Sequence, residues 1–135
     1  MSTRIEDAVS RHRHGHNCAQ AVLCAYCDLY GADEQLMYRA AEGLGGGMGC
    51  MEGTCGALSA ACILAGLKNA DGNVGHSATR GSTGRLSKAI VKGFEERIGA
   101  TKCADIKGVG TGHVLAPCED CVKTAAELVD EILYG

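Results

Sequence analysis

The sequence predicts an all-α fold: one compact helical bundle of about five to six helices with Gly-rich loops, filling residues 1–135 as a single domain. Three observations carry that expectation. Apolar residues recur three and four positions apart along most of the chain. No segment shows the alternation of a half-buried strand. Twenty glycines against one proline mark tight turns rather than extended linkers.

Each element has its own signal. Thr3 with Glu6 reads as a capping box opening a first helix over Arg4–Arg13, which Gly15 interrupts. Asn17 with Gln20 offers a second box, and "CAQAVLCAYCDLY" forms a helix from Cys18 to Tyr30 that Gly31 ends. Asp33 caps a third helix, Glu34 to Glu42, before the loop "GLGGGMG". Thr54 then serves as N-cap for "CGALSAACILAGL", Cys55 to Leu67. The small residues of that helix let neighbouring backbones approach and predict a central place in the bundle. A long polar loop follows, and Leu86, Ile90, Phe94 and Ile98 define a fifth helix. Pro117 suits the first turn of the last one, where Cys118, Cys121, Val122, Ala125, Val129 and Ile132 form a stripe.

Composition narrows the function. Thirteen Lys and Arg nearly balance sixteen Asp and Glu, so no basic stripe for nucleic acid is expected. Apolar runs are short and broken by glycine, which argues against a membrane span. The polar, acid-containing N-terminus resembles neither a secretory signal nor a transit peptide, and a cytoplasmic location is expected. Nine cysteines in that reducing compartment point to metal binding or thiol redox chemistry rather than a disulfide framework.

The cysteines are not scattered at random over the elements. Cys18, Cys55 and Cys118 each fall at a predicted helix start, where free N–H groups and the helix dipole favour thiolate. Cys50 and Cys103 fall in connecting segments, and Cys24, Cys27 and Cys62 fall inside helices, as small buried hydrophobes do. Cys118 and Cys121 make a C-x-x-C, but the βαβ context of a thioredoxin-like pair is missing. The two close pairs of a zinc ribbon and the run of a ferredoxin are also missing, so any metal site must be assembled from different helices. In "RHRHGHNC", His12 and His14 read as a solvated helix end. His16, nearest Cys18, is kept as an auxiliary ligand candidate together with Cys50 and Cys121.

The order of cysteines resembles that of the small redox-active proteins known for a C…CGAxxG…C…C pattern. "HNCAQAVLCAY" is similar to that family's first cysteine segment, and "GTCGALSAA" to its central motif, with Ala60 in place of the closing glycine. "CADIKG" and "CEDCVKTAAELVDEIL" resemble the third and fourth segments. The resemblance implies a site of Cys18, Cys55, Cys103 and Cys118 carrying an iron–sulfur cluster, in an electron carrier or oxidoreductase component.

Three functions stay open on the residues alone. Four thiolates could ligate an iron–sulfur cluster for electron transfer or redox sensing, with an unidentified redox partner protein. The same thiols could work without metal by disulfide exchange, with Cys118 and Cys121 or Cys50 and Cys55 as pairs. Four cysteines could also hold a structural zinc. Neither a nucleophile elbow nor a phosphate loop supports a hydrolytic enzyme.

Overall fold

The structure is a computed structural model that describes residues 3–134. Among them the order is α1 (Thr3–Arg13), α2 (Cys18–Tyr26), a 3₁₀ turn (Cys27–Tyr30), α3 (Glu34–Glu42), α4 (Gly45–Met48), α5 (Gly56–Asn69), α6 (Arg80–Ile98), α7 (Cys103–Lys107) and α8 (Cys118–Leu133). The all-α expectation holds. Eight helical segments replace the expected five or six, because α7 is a single turn of five residues and α4 is a four-residue turn in which Gly46 and Gly47 take left-handed values. Turns that short carry no periodicity to read. The one β-type pairing among the described residues is an isolated antiparallel bridge between Thr54 and Lys102.

The boundaries follow local chemistry. Asn17 accepts from the Gln20 N–H at 2.8 Å while the Gln20 side chain accepts from the Asn17 N–H at 3.0 Å, completing the predicted box. Asp33 caps α3 by accepting from Leu36 N–H at 2.8 Å, and Gly31 turns left-handed (φ 68) after the 3₁₀ turn. Three expected caps shift. Thr3 already lies within α1. Cys55 rather than Thr54 is the N-cap of α5, since its backbone is tied down elsewhere. Pro117 stands at the N-cap of α8, one position before the first turn. The helix carrying Leu86 to Ile98 starts earlier, at Arg80, so the long polar loop is shorter than its sequence suggests.

The centre of the bundle is α2, all nine of whose residues are buried. It is packed by α1, α3, α5 and α8. The small-residue helix α5 shares that centre, as its sequence predicts: it packs between α2, α6 and α8 with Ala57, Leu58, Ala60, Ala61, Leu64 and Ala65 in the core, and leaves Ser59, Cys62 and Ile63 half-buried. Ile90 and Phe94 of α6 and Val122, Ala125 and Val129 of α8 close the core. Tyr26, itself fully buried, donates its hydroxyl to Asp130 Oδ1 at 2.6 Å and so pins α2 to α8. No helix among the described residues is long and apolar enough to cross a membrane.

Candidate functional site

A small patch of paired backbone brings distant cysteines together. The Cys55 N–H donates to Thr101 O at 2.8 Å, and the Cys103 N–H donates to Gly53 O at 2.9 Å. With the Thr54–Lys102 bridge between them, these bonds set Cys55 beside Cys103. Cys103 is therefore the first residue of α7, not part of a loop as its sequence suggests. Leu115 N–H donates to Ile106 O at 2.8 Å, which ties the approach to α8 against α7 and delivers Cys118 to the same place. The Asn17 box aims the start of α2, and hence Cys18, from the opposite side.

The result is a cavity of about 260 Å³ lined by Cys18, Cys55, Cys103, Cys118 and Cys121. Met51, Ile106, Lys107, Gly46 and Gly56 complete its wall. All four residues of the expected site meet there, and Cys121 joins them one turn into α8. All nine cysteines of the chain are free thiols.

Two glycines are required by this crowding. A Cβ on Gly47 would stand 2.5 Å from the Cys103 Cβ. One on Gly56 would stand 2.7 Å from the Cys18 sulfur and 2.8 Å from Leu44 O, and the second neighbour is backbone that cannot swing aside. Gly56→Ala is therefore expected to destabilise the protein by about 1–3 kcal/mol, the usual cost of overpacking, read as a lower urea midpoint at unchanged slope.

Electrostatics at the site differ from the helix-start expectation. The Cys18 thiol is pushed up, first by donating to Cys55 and then by burial. Cys55 is pushed up to about 11, chiefly by donating to Cys121. Cys121, which accepts from Cys55, is held below its ordinary value. Burial raises Cys103. Burial and neighbouring sulfur thus oppose the thiolate form that the helix starts favour at Cys18 and Cys55, because sulfurs packed against one another cannot all ionise. Lys107 is the cation of the wall: burial works against its charge, but its hydrogen bond to Cys118 and the neighbouring sulfurs raise its pKa overall. A thiol relay from Cys18 through Cys55 to Cys121, with an ammonium alongside, suits chemistry in which negative charge gathers on sulfur.

The remaining candidates lie elsewhere. Cys50 is exposed, with its sulfur 3.8 Å from Gly47 O, and does not line the cavity. His16 packs edge-on against Tyr38 at 4.9 Å and lines a separate pocket with Arg11 and Glu34. Burial and Arg11 lower its pKa. Cys62 is half-buried on α5, away from the cavity. Sequence reasoning missed Lys107. It stands four residues after Cys103, a spacing that shares a helix face, but that signal is legible only once the short α7 is known. Among the described residues, no three or more His, Cys, Asp or Glu side chains gather as a single metal ion would require.

Comparison of the chain with curated proteins and with solved structures gives no match. The family model described as "Putative redox-active protein (C_GCAxxG_C_C)" matches residues 16–132, which spans every cysteine of the cavity. The chain belongs to that redox-active protein family.

Proposed function

We propose that the cavity is a redox site holding an iron–sulfur cluster on Cys18, Cys55, Cys103 and Cys118, and that the protein passes electrons to and from a partner protein. The observation that carries this reading is the convergence of five cysteines, from four separate segments, on one cavity. The donor set fits such a cluster: it is all sulfur, with no carboxylate or imidazole among the lining residues. Five cysteines line the cavity, more than a lone tetrahedral zinc needs, which favours a polynuclear group. When bound, the cluster supplies one-electron chemistry.

The chain's own residues set the conditions for it. The Cys18 and Cys55 thiols must lose their protons for ligation, so loading releases protons and is favoured by rising pH. Lys107 offsets part of the negative charge of the ligated sulfurs. Apolar Met51 and Ile106 keep water from the wall between them. Cys121 remains as a fifth sulfur within reach.

The hydrogen bonds between Cys18, Cys55 and Cys121 favour a second reading, a metal-free dithiol. In it Cys55 and Cys121 join in one disulfide, giving two electrons and two protons to a partner's disulfide, which is reduced to two thiols. Anaerobic purification with iron and sulfide analysis separates the two. Iron and sulfide bound in stoichiometric amounts, with a visible charge-transfer absorption that bleaches on reduction, are the expected result. A colourless protein that takes up no iron on anaerobic reconstitution, yet oxidises a cavity cysteine pair reversibly, would replace the first reading with the second.

A further inference from the structure

A second cavity, of about 420 Å³, opens on the other end of α2 and shares no lining residue with the first. Cys24 and Cys27 line it together with Arg4, Asp7, Arg11 and Asp28. Both cysteines are buried, at 3% and 1% exposure, but they lie outside the main cluster of packed apolar side chains that holds Cys18, Cys55 and Cys121. Charged side chains share the cleft wall with them. A cysteine that merely fills space sits among apolar neighbours. These two sit at the foot of a charged cleft.

Their spacing is a C-x-x-C, Cys24-Ala25-Tyr26-Cys27, and residues three apart on a helix share a face with Cβ atoms roughly 5–6 Å apart. The Cys27 sulfur already turns back to within 3.8 Å of Cys24 O. A disulfide needs Cβ atoms about 3.5–4.5 Å apart, so the pair must tighten by an ångström or so. The backbone changes type at this point: α2 ends at Tyr26 (φ −126) and Cys27 opens the 3₁₀ turn. Tightening there leaves the hydrogen bonds of the helix body intact.

We propose that Cys24 and Cys27 form a second, metal-independent dithiol–disulfide centre that exchanges with small zwitterionic disulfides entering this cleft. The walls carry both signs of charge. Arg4 is held by Asp28 at 2.6 Å, and Arg11 by Asp7 at 2.9 Å and Glu34 at 2.8 Å. These charges are already paired with one another, so a ligand bearing both a carboxylate and an ammonium can insert into a pair and leave neither member without a counter-charge, whereas a ligand of one sign leaves one member unpaired. Burial raises both thiols, Cys24 to about 11, and Arg11, which lines the same cleft, opposes that rise at each sulfur.

The chemistry balances without a further reagent. The Cys24 thiol loses its proton and attacks one sulfur of R–S–S–R. A bond forms between Cys24 and that sulfur, the R–S–S–R bond breaks, and the leaving thiolate takes up the proton. Cys27 then attacks the Cys24 sulfur and displaces the second R–SH. Two protein thiols become one disulfide, and one small disulfide becomes two thiols. In the opposite direction the oxidised pair oxidises small thiols.

The test uses the full-length protein equilibrated with cystine and cysteine at graded ratios, quenched in acid, denatured, alkylated and mapped by mass spectrometry. Cys24 and Cys27 are expected to leave the alkylated pool together, with their common peptide lighter by two hydrogens. Cys27→Ser is expected to trap Cys24 as a mixed disulfide with cysteine. Arg11→Gln is expected to slow exchange with cystine several-fold, the scale of one partly exposed charge contact, and to slow exchange with dicationic cystamine less. The readout belongs to these two residues and stands whether or not the other cavity holds iron. Two thiols that stay alkylatable at every ratio at which circular dichroism shows a folded protein would overturn the centre. So would a Cys27→Ser variant that acquires no mixed disulfide, or a disulfide that joins Cys18 to Cys24 or Cys27. Equal rates for cystine and cystamine would overturn the zwitterionic preference.

Discussion

Cys55→Ala is expected to remove the redox signal of the cavity outright. Cys55 is the middle of the thiol relay, donating to Cys121 and accepting from Cys18, so no other single substitution breaks both of those links. It is also one of the four ligands in the cluster reading. Iron content after anaerobic reconstitution should fall by at least about tenfold, since lesser changes around a metal site already cost that much. In the metal-free reading, the Cys55–Cys121 disulfide is lost as well. Cys62→Ala provides the matched control on the same helix: its half-buried sulfur does not line the cavity, and iron content and reversible oxidation should stay as in the parent. Equal loss in both variants, at retained helicity, would count against the cavity as the site.

Phe94→Ala is expected to have the largest effect on stability. Phe94 is the one phenylalanine of the chain and is fully buried on α6, the helix that packs against both α5 and α8. Removing its ring from the core costs about 3–5 kcal/mol through lost burial and the cavity left behind. Domains of this size hold roughly 5–15 kcal/mol in all, so the variant should stand near the edge of folding. Phe94→Leu keeps most of the volume and should cost less than about 1.5 kcal/mol. Urea midpoints of the three proteins check the order. A midpoint for Phe94→Ala within experimental error of the parent would mean that α6 is peripheral to the core.

The contrast between these two residues shows what could be read in the chain. Phe94 belongs to a long helix in which four apolar residues, Leu86, Ile90, Phe94 and Ile98, recur every fourth position, so both its element and its inward face were legible in order. The Asn17 box and the Asp33 cap were legible because side chain and backbone lie within three residues of each other. Cys103 and Lys107 were not. Their placement depends on pairing between the segments around Gly53 and Thr101, a non-local contact with no local signature. The four cysteines of the site could be named from their order, but the fifth was only an auxiliary candidate. Thiol acidity was misread for a related reason. The helix-start argument is local, whereas the opposing effects, burial and neighbouring sulfur, arise only when distant segments meet.

The loop that opens the cavity has a property of a different kind. From Gly46 to Gly49 four successive residues take positive φ values of 64, 59, 63 and 79, and Met51 follows at 64. A chain of L-residues normally winds the other way, at a difference of roughly 1–2 kcal/mol per residue. This segment is therefore a short piece of mirror-image backbone, of the hand that D-residues prefer. Its glycines are achiral and bear no such cost, so the burden of handedness falls on Met48 and Met51. Met48 is exposed, with its side chain against Gly53, while Met51 lines the cavity. Chirality, as much as bulk, thus decides what this rim of the site can be made from.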